Sequence, residues 1–86
     1  MVAVSFTPKA EEDLTSLDRN NAQRVLKKIR WLAENFEAVQ PEPLTGQWTG
    51  VNKLRVGDYR ILYTVVEDPQ KIVIHVIRHR REVYKS

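Results

Sequence analysis

The sequence predicts an α+β domain: an N-terminal strand, a two-helix hairpin, then a three-strand antiparallel meander, forming one twisted sheet packed on the helices. Three observations carry this expectation. Apolar residues recur at helical spacing between Ala10 and Phe36. From Asn52 onward the alternation switches to period two. The second half is punctuated by Gly57-Asp58 and Asp68-Pro69, pairs that reverse a chain tightly. With 86 residues, residues 1–86 are read as a single domain, because a chain of this size buries only about 60 to 65% of its unfolded surface and supports a simple two-layer core.

The elements follow in order. Val2 to Phe6 has strand composition and ends at Thr7-Pro8, a hydroxyl at the N-cap and a proline at the first helical position. Ala10, Leu14 and Leu17 then mark helix one, from 8 to 17, with Glu11, Glu12 and Asp13 near its positive end. Asp18 opens helix two, from 19 to 36, whose stripe is Ala22, Val25, Leu26, Ile29, Leu32, Ala33 and Phe36. Trp31 lies opposite Ala22 on this helix, among Arg24, Lys27 and Lys28. Either a loop or a partner covers that indole. The segment from Glu37 to Gly50 reads as a loop through Pro41, Pro43, Gly46 and Gly50, and its Trp48 offers intramolecular cover.

The meander comes next. Gly57-Asp58 is a two-residue hairpin loop with Gly at the first central position, as a type II′ turn prefers. It pairs Val56 with Tyr59, Leu54 with Ile61 and Asn52 with Tyr63 on one side, and Arg55 with Arg60 and Lys53 with Leu62 on the other. Asp68 to Lys71 reads as a type I turn that pairs Glu67 with Ile72. Continuing that ladder puts Ile72, Ile74 and Val76 on the apolar face. It puts His75, Ile77 and His79 on the cationic face, with His79 opposite Arg60. Apolar residues on both faces of 72–77 suggest a central strand flanked by strand one.

Composition narrows the function. There are 14 Lys plus Arg, 11 Asp plus Glu, two His and no Cys. No disulfide framework, thiolate zinc site or thiol nucleophile is available. The longest uncharged apolar run, Ile72 to Ile77, is far short of the roughly 20 residues of a membrane span. The first residues lack a signal peptide's basic and apolar regions, so a soluble, cytoplasmic protein is expected. His75 and His79 lie about 13 Å apart along one strand with no clustered carboxylates, so neither metal nor cofactor is expected. No Gly-rich phosphate loop is present. Residues 1–52 carry six basic and seven acidic side chains, and residues 53–86 carry eight and four. The basic excess sits in the last third, where a polyanionic partner is plausible.

That excess concentrates on one sheet face. Arg55 and Arg60 directly opposite each other repel, and a bound anion reverses the sign. Lys53 lies two residues from Arg55, and Arg80, Arg81 and Tyr84 lie just beyond the last strand. Phosphate is the ligand such guanidinium groups take in bidentate fashion, and a phenol beside them stacks on a nucleobase.

The run Asn52-Lys53-Leu54-Arg55-Val56-Gly57-Asp58-Tyr59-Arg60-Ile61-Leu62-Tyr63, with Val76-Ile77-Arg78-His79-Arg80-Arg81-Glu82-Val83-Tyr84, resembles the RelE branch of the RelE/ParE toxin superfamily. The opening strand, the Thr-Pro helix start and the Leu44 and Gly46 loop extend the resemblance over essentially the whole chain. It implies a toxin of a type II toxin–antitoxin system that cuts messenger RNA in the ribosomal A site without metal. Its implied partners are the ribosome and a cognate antitoxin, with DNA met only indirectly through the antitoxin complex. It also implies roles: Lys53 and Arg55 as the basic pair on the first meander strand, Arg60 as the phosphate-binding arginine, Arg80 or Arg81 as the acid, and Tyr84 as the base-stacking tyrosine. Arg55 departs from the lysine proposed as general base in one such enzyme, and an arginine rarely releases its proton. Lys53, His79 or the ribosomal RNA then supplies the base. The alternative that the superfamily implies is a ParE-like toxin that poisons gyrase without cutting RNA.

Overall fold

The computed structural model describes residues 1–67 and 69–79. In chain order it contains β1 (Ala3–Phe6), α1 (Pro8–Thr15), α2 (Arg19–Glu34), β2 (Glu42–Pro43), a short 3-10 turn (Gly46–Trp48), β3 (Asn52–Val56), β4 (Tyr59–Val66) and β5 (Lys71–His79). The five strands form one sheet in the order β1-β5-β4-β3-β2. β1 runs parallel to β5, and the remaining neighbours are antiparallel. The expected α+β class and the central place of β5 both hold. β2 is an addition. It lies inside the segment read as loop, and at two residues it is too short to show any alternation.

Both helices start where their caps direct. Thr7 Oγ1 accepts from Ala10 N at 3.1 Å with Pro8 in the first turn. Asp18 accepts from the backbone N–H of Asn21 and, at 2.6 Å, from its side-chain amide. These bonds hold the Asp18 carboxyl below its ordinary value. The helices end earlier than expected, at Thr15 and Glu34. Val25, Ile29, Leu32 and Ala33 of α2 pack against Ile61 and Tyr63 of β4 and Ile72, Ile74 and Ile77 of β5. Each fully buried aliphatic contributes on the order of 1.5 to 3 kcal/mol, which makes this contact the main source of cohesion. Leu26, expected in the stripe, is exposed instead.

The β3–β4 register is the expected one, from Asn52 with Tyr63 to Val56 with Tyr59. Gly57 takes a φ of 56°, as the first central residue of a primed turn requires. The β4–β5 register differs. The hairpin closes at Val66 with Lys71, not Glu67 with Ile72, and a bulge between Leu62 and Tyr63 leaves His75 as an extra residue of β5. The expected type I turn includes Asp68, outside the described residues. The displaced turn preserves the faces, so Ile72 and Ile74 are buried as expected. The bulge flips everything after it: Ile77, not Val76, enters the core, and Val76 pairs with Leu62. Burying the larger aliphatic while His75 turns outward to share a 2.8 Å hydrogen bond with Thr64 Oγ1 accounts for the shift.

A candidate phosphate-binding face

β3, β4 and β5 place three arginines in one row. Arg60 at the centre pairs with Arg55 on one side and with Arg78 on the other. Directly opposite residues share a face with Cβ atoms about 4.5 to 5.5 Å apart, so the row concentrates positive charge on the sheet face turned away from α2. Arg60 is 7% exposed, whereas Arg55 projects into solvent. Arg55, Gly57, Asp58, Tyr59 and Arg60 line a concavity of about 90 Å³, sized for a small group and not for a whole nucleoside. Lys53 lies two residues along β3, with Nζ 3.5 Å from Glu42 Oε2 of β2. Arg78 reaches in the other direction, its Nε 3.9 Å from Asp13 Oδ2 of α1.

The structure therefore brings together Lys53, Arg55 and Arg60. It does not bring His79 beside Arg60. Because of the bulge, His79 pairs with Tyr59 on the core-side face, the two rings meeting edge to face at 5.4 Å. Arg78 takes the place expected of His79. No periodicity in the sequence signals this exchange, since one extra residue reverses the parity of all that follows. Arg80, Arg81 and Tyr84 lie outside the described residues. Tyr63 belongs to the core as expected, and burial, with the Glu42 carboxylate adding to it, pushes its phenol up. Trp31 is not covered by Trp48: the two indoles are 42% and 41% exposed, and Lys28 Nζ sits 3.8 Å from the Trp31 ring centre.

A row of like charges has a measurable signature. Arg55→Gln is expected to leave stability unchanged or raise it by about 0.2 to 1 kcal/mol in urea at low salt, with the gain fading as salt screens the row. Inorganic phosphate is expected to raise the melting temperature of the parent more than that of the variant, because a ligand stabilises only the fold that binds it. A destabilised Arg55→Gln would show that the row is held together by other contacts.

The chain belongs to the family described as ParE toxin of type II toxin-antitoxin system, parDE, whose model matches residues 4–84. Comparison with curated proteins returned no match. Among solved structures it is similar to the toxin–antitoxin complex RelBE2 of Mycobacterium tuberculosis, at 29% identity and a TM-score of 0.81 over 92% of this chain and 98% of that one. It is also similar to the YoeB dimer of Staphylococcus aureus, at 27% identity and 0.65 over 91% and 95%. The isolated RelE toxin of Escherichia coli shares the fold at 19% identity and 0.77, over 98% and 92%. The RelE/ParE superfamily expected from the sequence is thus the right one.

Proposed function

We propose that this toxin is a metal-independent endoribonuclease that cleaves messenger RNA in the ribosomal A site and that a cognate antitoxin neutralises it. The observation that carries the reading is the opposition of Arg55 and Arg60 beside a concavity of about 90 Å³. In the reaction the message's 2′-oxygen attacks the adjacent phosphorus and loses its proton. The bond to the 5′-oxygen breaks, and that oxygen takes up a proton, leaving a cyclic phosphate and a 5′-hydroxyl. Charge builds on the phosphoryl oxygens, where guanidinium donors stabilise it. Arg60, fixed between two strands, holds the phosphate, and Arg55 approaches from solvent. Lys53 adds positive charge from within its pair with Glu42. Arg80 or Arg81 serves as the acid and Tyr84 stacks on the base, roles that rest on the resemblance. With His79 on the other face and Arg55 unable to accept a proton, the ribosomal RNA is left to remove the 2′-proton; Lys53 takes that role only as the neutral amine, not while it is paired as an ammonium with Glu42. Support for the branch comes from the likeness to the M. tuberculosis RelBE2 complex, which also supports an antitoxin partner.

The second reading is a gyrase poison that cuts no RNA. The family description favours it; the fold shared with the chromosomal ParDE system of Pseudomonas aeruginosa, at 18% identity and a TM-score of 0.68, is common to both readings. One experiment separates the two. Purified ribosomes carrying a short message are expected to yield a cut in the A site, while the same RNA free in solution is cut very poorly, because orientation supplies several kcal/mol of the barrier. Equal cutting of free RNA contradicts ribosome dependence. An intact message together with inhibited gyrase supercoiling establishes the second reading.

A further inference from the structure

A second cationic surface lies outside the arginine row. Arg24, Lys27, Lys28 and Trp31 of α2, with Val56 of β3, line a shallow groove of about 360 Å³, with no acidic residue in its lining among the described residues. Positions 24, 27, 28 and 31 share one helix face over two turns. Neither Lys27 nor Lys28 is ion-paired among the described residues. Lys28 lies against the Trp31 ring, and the indole keeps 42% of its surface open. Arg24 lies over the β3–β4 turn, its Nη2 2.8 Å from where a Cβ on Gly57 would stand. Gly57 also lines the concavity beside Arg55 and Arg60. The α2 cations and the arginine row therefore approach each other at the β3–β4 turn, where Asp58 also stands.

We propose that this α2 groove is a docking surface for ribosomal RNA, distinct from the phosphate-binding row and joined to it across the Gly57 turn. The inference rests on the ribosome-dependent reading above and adds where the ribosome is gripped. The composition favours RNA over a partner helix. A helix laid in a groove needs several apolar anchors over two turns, and among the described residues the lining offers only Trp31 and Val56 beside three cations. A phosphate chain needs repeated cations, and an unstacked base needs one open aromatic face.

The test measures co-sedimentation of the protein with purified ribosomes over a range of KCl concentrations. Parent, Lys27→Gln/Lys28→Gln and Trp31→Ala are compared, with thermal melts to establish that each variant is folded. The double variant is expected to bind about tenfold more weakly at physiological salt, with a salt slope shallower by about two. Trp31→Ala is expected to weaken binding while leaving the slope unchanged. At saturating protein, single-turnover cleavage by the variants is expected to match the parent. Folded variants that bind ribosomes as the parent does overturn the surface, whether or not the parent cleaves. So do variants that lose affinity only for the protein antitoxin. A parent that binds through this groove but cuts no message upholds the surface and removes the enzymatic reading.

Discussion

Arg60→Ala is expected to slow single-turnover cleavage of ribosome-bound message by a factor on the order of 10² to 10³, the usual cost of losing one preorganised donor to a developing oxyanion. Arg60 occupies the middle strand of the row, with Arg55 and Arg78 on either side. Its burial at 7% exposure fixes where the guanidinium points before substrate arrives. Preorganisation of this kind is what an exposed arginine lacks, so Arg55→Ala is expected to cost less. Arg60→Lys is expected to recover only part of the rate, since an ammonium keeps the charge and loses the bidentate fork. Tyr63→Phe, on the opposite face of the same strand, is expected to cleave within a few-fold of the parent: the phenol is buried, its pKa is pushed up, and it faces α2. Thermal melts of each variant separate a lost donor from a lost fold. Equal rates for folded Arg60→Ala and the parent would leave this arginine a structural role in the sheet and none in catalysis.

What the sequence revealed of this site, and what it hid, follows from how local each signal is. The pairing of Arg55 with Arg60 was legible because a two-residue turn containing Gly57 dictates register over the five residues of β3. The cap of α1 was legible because Thr7-Pro8 acts within one turn. The partner of Arg60 on its other side was not legible. It depends on where a bulge falls, and that choice is settled by whether Ile77 or Val76 fits against Ile61 and the helices, a tertiary preference that no window of sequence contains. β2 escaped for a related reason: Glu42 and Pro43 are held by pairing with Lys53 and Asn52, distant residues, and not by any propensity of their own. Trp31 lies off the apolar stripe in sequence and structure alike, yet only the structure shows that its neighbour is Lys28 and not the loop bearing Trp48.

Asp13 shows how far the role of a single residue can escape its sequence, and its replacement is expected to have a large effect on stability. Its placement near the start of α1 suggested a favourable charge at the helix's positive end, a contribution of only about 0.3 to 1 kcal/mol. In the fold it is buried at 6% exposure and acts on the sheet. β1 ends at Phe6, paired with Ile74, so beyond that point no strand among the described residues lies along this edge of β5. Asp13 Oδ2 accepts from the backbone N–H of Ile77 at 3.1 Å and stands in for the missing carbonyl. Arg78 Nε lies 3.9 Å from the same oxygen, and Lys9 Nζ lies 3.2 Å from Oδ1. The Lys9 pair is half exposed and adds little. The buried bond adds more, because a hydrogen bond to a charged group contributes about 1.5 to 3 kcal/mol and an orphaned buried N–H costs about 1 to 3. Asp13→Ala is therefore expected to lower the unfolding free energy by about 2 to 3 kcal/mol, a large share of the roughly 5 to 15 kcal/mol that holds a domain together. Asp13→Asn keeps an acceptor for Ile77 but gives up the charge facing Arg78 and Lys9, so it is expected to fall between. Urea denaturation of the three proteins decides the matter. A loss below about 0.5 kcal/mol for Asp13→Ala would mean that water satisfies the β5 edge as well as the carboxylate does.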